Sequence, residues 1–121
     1  MIRVTLKDIN DWTDALDSGA FAQGYDAMQN DTGYCCLGVL AQTMGLPIVK
    51  TEDPESEQDE QNKYIYDGFQ ENLSDFGLDT SELMEMNDQE GKSFKEISQF
   101  IKETTNVLTT TPAPTTQLAN L

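Results

Sequence analysis

The chain has 121 residues, of which 37% are hydrophobic and 8% aromatic, enough apolar material for one modest core. Its 7 lysines and arginines stand against 22 aspartates and glutamates, a net charge of −15, and there is no histidine. This charge argues against direct binding to nucleic acid or to an anionic membrane, since both need clustered cations. The lack of histidine excludes Ser-His-Asp, Cys-His and His-based metal sites, so we expect neither an enzyme nor a cofactor.

Compartment signals point to the cytosol. The N-terminal apolar patch ends at Asp8, too early for a signal-peptide core, and no segment reaches the roughly 18 apolar residues of a membrane span. Cys35 and Cys36 are adjacent, and a disulfide between neighbours needs a strained backbone. We expect reduced thiols in the core. Thiol chemistry is the alternative, but the nearest cations in sequence, Arg3 and Lys50, are too distant to lower a thiol pKa.

Helix signals begin near the N-terminus. Thr5 with Asp8 forms a capping pair for a first helix, which we expect to end at Gly19. Residues 20–33 predict a partly packed loop or a short hairpin. Residues 34–44 form the most apolar run, stopped by Gly-Leu-Pro at residues 45–47, and predict a buried helix, although a strand also fits so short a run.

The second half of the chain predicts one strand and further helices. Residues 63–66 predict a short strand closed by a turn at residues 67–68. Apolar residues at helical spacing then precede a stop at Gly77, and Asp79 and Ser93 each begin another helix. We therefore predict a mainly α (α+β) domain of four to five short helices with a minor hairpin or strand pair.

Composition divides the chain into a domain and a tail. We expect a single globular domain over residues 1–103, with a mobile acidic loop at residues 51–62, because that segment carries six carboxylates and no apolar side chain. Residues 104–121 contain no charged residue and two closely spaced prolines, which predicts a Thr/Pro-rich disordered tail.

One short motif resembles a phosphate site. Gly-Lys-Ser at residues 91–93 is similar to the end of a P-loop, but that motif needs a glycine where Met86 stands. An EF-hand calcium loop over the same residues fails at Met86 and Ile97. The favoured interpretation is a glycine turn followed by a capped helix.

Several motifs stand in a distinctive order. Trp12 precedes a Tyr-Cys-Cys-Leu-Gly-Val-Leu core at residues 34–40, and Asn-Asp-x-x-Gly-x-Ser-Phe-x-x-Ile follows at residues 87–97. Over about residues 12–101 this order resembles a family of small uncharacterised proteins of tailed bacteriophages. Ala41 stands where relatives often carry a further cysteine, which disfavours a metal or redox role for the pair. The resemblance implies a phage protein in the host cytoplasm and no particular activity.

Three hypotheses follow for function. The first is a phage-encoded, non-enzymatic acidic protein that binds and inhibits a basic host protein, in host takeover or anti-defence, by nucleic-acid mimicry. The second is a protein that sequesters a small molecule or nucleotide signal, and the third is a minor virion component docked through its tail. An acidic surface also suits a saline habitat, and assembly into a homo-oligomer stays open.

Each of the first two hypotheses has its own candidate residues. For the basic partner, the contact residues are those of the acidic loop: Glu52, Asp53, Glu55, Glu57, Asp59 and Glu60. For the small molecule, the pocket residues are Phe21, Gln23, Tyr25 and Tyr34.

Overall fold

The computed structural model describes residues 2–25, 27–50 and 60–110, with side chains as far as residue 105. It contains five α-helices: α1 (Leu6–Ser18), α2 (Cys36–Thr43), α3 (Glu60–Ser74), α4 (Thr80–Asp88) and α5 (Phe94–Thr110). Within those ranges, β structure is limited to two isolated bridges, from Gln23 and from Gln29 to Tyr34. The predicted small, mainly helical domain is confirmed.

Three helices, α1, α4 and α5, begin where the sequence predicts caps. The Thr5 hydroxyl accepts a hydrogen bond from the Asp8 N–H while the Asp8 carboxylate accepts one from the Thr5 N–H, so α1 starts with a capping box. Ser93 and Glu96 form the same reciprocal pair in front of α5. The Asp79 carboxylate caps α4. These bonds satisfy N–H groups that have no partner inside the helix.

Glycines end the first three helices. Gly19, Gly45 and Gly77 have φ angles of 78°, 73° and 79°, in the left-handed region that favours glycine. After Gly45 and after Gly77, the N–H of the next leucine donates to the carbonyl five residues before it, which is the Schellman arrangement. The predicted helix stops are therefore confirmed.

The predicted strand at residues 63–66 is wrong. These residues lie in α3, and so does the predicted turn at residues 67–68. Ile65 is buried together with Phe69 and Leu73, at helical spacing, so burial along one helix face outweighs the local preference of Tyr and Ile for strands. Gly68 is a packing residue, because a Cβ there would lie 2.9 Å from the side chain of Ile2.

The last helix extends further than the predicted domain boundary at residue 103, since α5 continues to Thr110. Thr105 is only 5% exposed, and its hydroxyl donates to the Ile101 carbonyl one turn earlier at 2.9 Å. That bond satisfies the hydroxyl inside a helix, so a threonine-rich composition does not stop the helix here. Residues 111–121 of the predicted tail lie outside the described residues.

The buried helix α2 forms the centre of the core and packs against α1 and α4, while α1 also packs against α5. All six of its residues from Cys36 to Ala41 are buried, which confirms the predicted buried helix. The indole N–H of Trp12, 0% exposed, donates to the Cys36 carbonyl at 2.8 Å. This bond connects α1 to the first turn of α2 and satisfies a buried donor.

The loop of residues 20–35 covers the N-terminal end of α2. The Met28 carbonyl accepts a hydrogen bond from the Cys35 N–H, and the Cys35 Sγ accepts one from the Gly38 N–H. A Cβ on Gly38 would lie only 1.9 Å from the Met28 carbonyl oxygen, so this approach requires glycine. The predicted partly packed loop is confirmed. The Cys-Cys-Leu-Gly motif at residues 35–38, where this loop meets α2, has a packing role.

Asparagine side chains on α3 hold two other irregular segments. Asn72 accepts from the Val4 N–H at 3.1 Å and donates to the Ile2 carbonyl at 2.9 Å. Asn62 accepts from the Val49 N–H and donates to the Val49 carbonyl, both at 2.8 Å. Each amide thus supplies an acceptor and a donor to backbone that lies outside regular structure.

In the part of the chain that the structure describes, no helix has both the length and the apolar character needed to cross a membrane.

Replacing Gly38 by alanine should destabilise the protein by about 2–4 kcal/mol, because the added Cβ collides with the Met28 backbone. In an open helical position the same change would stabilise by about 1 kcal/mol, so the sign of the effect identifies its cause. Urea unfolding of both proteins measures the difference in the free energy of unfolding.

Gly45→Ala is the matched control. Nothing lies within 4 Å of a Cβ at Gly45, so only the left-handed backbone at φ 73° resists the change. This strain should cost about 1–2 kcal/mol. A stability of Gly38→Ala equal to or above that of the wild type would contradict the contact with Met28.

Candidate functional site

Six carboxylates are predicted as the surface that contacts a basic partner, and the structure describes one of them. Glu60 is the exposed first residue of α3, so the predicted loop is wrong at residues 60–62, which are helical. The other five, Glu52, Asp53, Glu55, Glu57 and Asp59, lie outside the described residues. The structure does describe the chain on either side. Because Asn62 bonds both backbone groups of Val49, the acidic segment leaves and rejoins the described chain at neighbouring points on the surface.

Of the four residues of the predicted pocket, two pack against each other, one bonds to α4 and one is exposed. The rings of Phe21 and Tyr34 meet edge to face, with centroids 5.2 Å apart and planes at 89°. The Gln23 amide donates to Asn87 at 3.0 Å, and the Tyr25 side chain is 41% exposed. The structure thus brings Phe21 and Tyr34 together as a packed pair and directs Gln23 towards α4.

A polar network connects this loop to the turn after α4. Asn87 is 0% exposed, and its Oδ1 accepts from the Gln23 Nε2 while its Nδ2 donates to the Gly24 carbonyl and to the Asp88 carboxylate. Gln23 also donates to the Lys92 carbonyl at 2.8 Å. The network holds the turn of residues 88–92 in place against the rest of the protein.

A groove of about 340 Å³ lies between α4 and α5, beside this turn. Its apolar atoms come mainly from Met86, which is 7% exposed, and from Phe100, which is half-buried against the core. The remaining lining is polar and mostly acidic: Glu82, Glu90, Lys92, Glu96, Gln99 and Glu103.

Both sides of the groove carry the same pattern, an apolar residue between two glutamates. The intervals are four residues on the α4 side and four and three residues on α5. The α5 set shares one helix face, and Glu82 and Met86 share one face of α4, whereas Glu90 lies in the turn after α4. The two sets are Glu82, Met86 and Glu90, and Glu96, Phe100 and Glu103. Sequence analysis missed this site. The glutamate spacing was visible in the sequence, but only helix packing brings the two sets together.

The charge around the groove is negative. Four glutamates and one lysine line it, and in the part of the chain that the structure describes four lysines form ion pairs with carboxylates. One of these, Lys102, donates to Asp17 at 2.7 Å and lowers the pKa of that carboxyl below its usual range. None of the five described helices has a basic residue in its last turn, so the negative ends of their dipoles add to the acidic field.

The two cysteines are free thiols with no solvent exposure, which confirms the prediction of buried core cysteines. Burial raises the pKa of the Cys35 thiol to about 12 and that of Cys36 well above its ordinary value. The Cys36 Sγ lies 3.6 Å from the Leu83 carbonyl oxygen as a weak donor. Neutral buried thiols are poor nucleophiles and poor metal ligands.

Among the described residues, no three cysteine, aspartate or glutamate side chains are grouped to hold a metal ion.

Fold and site together define a small helical domain with an acidic, partly apolar groove on its surface. A family model described as a domain of unknown function, DUF8296, matches residues 4–77, and the chain belongs to this family. The matched segment contains α1, α2 and α3, whereas α4 and α5, which form the groove, follow it. No curated protein and no solved structure matches the chain significantly.

The buried thiols should make the protein lose stability at alkaline pH. Above pH 9.0 the thiols of the unfolded chain ionise, whereas Cys35 in the folded protein stays protonated until about pH 12. Because the unfolded state then binds fewer protons, this contribution to stability is complete below pH 9.0 and is lost as the pH rises towards 12. Urea unfolding at neutral and alkaline pH measures the change.

The control is the double variant Cys35→Ala with Cys36→Ala, whose stability should fall less steeply over the same alkaline range. Iodoacetamide should label the wild-type cysteines only after unfolding. Equal pH dependence in the two proteins, or rapid labelling of the folded wild type, would contradict the burial of neutral thiols.

Proposed function

We propose that this protein is a phage-encoded, non-enzymatic acidic protein that binds a basic host protein and inhibits it. The observation that carries the proposal is the groove between α4 and α5, where Met86 and Phe100 lie among four glutamates. Protein interfaces combine an apolar centre with a polar rim, and the sign of the rim charge selects the partner. An acidic rim therefore favours a basic protein.

The charge of the whole chain supports the same partner. Ion pairs such as Lys7–Asp11 and Lys63–Asp67 neutralise one carboxylate for each lysine, so the excess carboxylates of the chain, a net charge of −15, set the field around it. Such a field accelerates encounter with a basic surface and repels nucleic acid and anionic membranes. The acidic segment of residues 51–62 would add six carboxylates to this attraction.

The available side-chain chemistry supports binding over catalysis. The chain has no histidine, and burial raises the pKa of both thiols, so the usual general base and the usual sulfur nucleophile are lacking. The carboxylates of the groove lie on an open surface of the described region, where no neighbouring group distinguishes one as an acid or base.

The phage origin in this proposal rests on the motif order from Trp12 through residues 34–40 to residues 87–97. A phage protein in the host cytoplasm would meet polymerases, nucleases and defence complexes, whose nucleic-acid sites are basic. An acidic protein that occupies such a site excludes the nucleic acid. Host takeover or anti-defence is therefore the biological role that we propose.

A pull-down from bacterial host lysate tests the proposal. The immobilised full chain should retain basic proteins at low salt and release them as the salt concentration rises, because exposed charges are screened over about 10 Å at 0.1 M salt. The retained protein, once identified, should lose nucleic-acid binding or activity when the acidic chain is added. Recovery of no basic protein at low salt would contradict the proposed function.

The matched variant carries amides in place of the six loop carboxylates, Glu52, Asp53, Glu55, Glu57, Asp59 and Glu60. Because this change removes charge and leaves the groove intact, it should weaken retention and reduce its salt dependence. Unchanged retention and salt dependence would show that the loop has no part in binding.

A further inference from the structure

Resting on the proposed function, we propose that the groove between α4 and α5 binds one amphipathic helix of the basic partner, with an apolar side chain placed between basic residues. The argument begins from the pattern of the groove. Each of its two sides offers an apolar residue between two glutamates, along one face of α5 on one side and along α4 and the turn after it on the other. A helix with lysine or arginine four residues on either side of a leucine or phenylalanine presents the complementary sequence of groups.

The size of the groove fits a few side chains. Its volume of about 340 Å³ is at the lower end of the roughly 300–1,000 Å³ of ligand pockets, and it is open to solvent on one side. One large apolar side chain can reach Met86 and Phe100 while its basic neighbours stay at the rim. A helix laid along the groove makes these contacts with a single face.

The charge of the groove excludes a second copy of the same surface as the occupant. Two such faces would bring the same four glutamates against each other, with Lys92 as the one basic residue in the lining of each. Like charges placed face to face oppose association. A basic helix instead gains opposite-charge contacts on both sides of its apolar anchor.

The groove is preformed, which lowers the cost of binding. Glu96 accepts a hydrogen bond from the Ser93 N–H at the start of α5, and Glu103 accepts one from Gln99 at 2.9 Å. The network of Asn87 holds the turn of residues 88–92, which connects α4 to α5. Side chains already held by such bonds lose little further freedom when a partner binds.

The test uses synthetic helical peptides of equal length and net charge as probes, with fluorescence anisotropy as the measurement. One peptide places leucine between lysines at four-residue intervals, a second has the same composition in scrambled order, and a third has alanine in place of leucine. The full chain should bind the patterned peptide about tenfold more tightly than either of the others.

Two protein variants locate the site. The groove variant, Glu82→Gln with Glu90→Gln, leaves the bonded Glu96 and Glu103 intact and should bind the patterned peptide about tenfold more weakly. The control, Glu71→Gln with Glu85→Gln, makes the same change in charge at two exposed helix positions outside the groove. It should weaken binding less than about threefold.

The outcomes separate this inference from the proposed function. Equal affinity for patterned and scrambled peptides, or equal weakening by the two variants, would overturn the groove as the site, while retention of basic proteins in the pull-down would leave the proposed function standing. Absence of binding to every peptide, together with an empty pull-down, would overturn both. The inference is supported if the full chain binds the patterned peptide tightly and the groove variant, but not the control variant, loses this binding.

Discussion

The approach of the Met28 carbonyl to Gly38 is the constraint on which the rest of the structure depends. It lets the loop of residues 20–35 close over α2, and α2 can be buried only when this loop, α1 and α4 all cover it. The same carbonyl pairs with the Cys35 N–H, and the Trp12 indole pairs with the Cys36 carbonyl. A side chain at position 38 would push the loop away from α2 and leave these buried polar groups without their hydrogen-bond partners.

This constraint changes how the most distinctive motif of the chain is understood. The Tyr-Cys-Cys-Leu-Gly sequence looks like a chemical site, yet its residues have structural roles: Tyr34 meets Phe21 edge to face, Cys35 caps α2, and Gly38 leaves room for the loop. DUF8296 covers this packing unit, and the groove lies in the two helices after it. The family segment therefore supplies α1, the loop and α2 of the core, whereas α4 and α5 both complete this core and form the proposed binding surface.

Asparagine amides connect the scaffold to that surface. Asn72, Asn62 and Asn87 each hold an irregular segment against a helix by bonding its backbone, and Asn87 also determines where the turn beside the groove lies. An amide suits this task because it donates and accepts without carrying charge. In a chain with a net charge of −15, neutral clamps add no further repulsion to the fold.

The sequence by itself determined the helical class, the caps at Thr5, Asp79 and Ser93 and the glycine stops, because these depend on neighbours within a few residues. Tertiary structure decided the state of residues 63–66, where burial of one face of α3 outweighed local strand preference. It also formed the groove, because the two glutamate patterns come together only when α4 and α5 pack. Contacts between residues distant in sequence carry no local signal, which is why only the folded chain shows them.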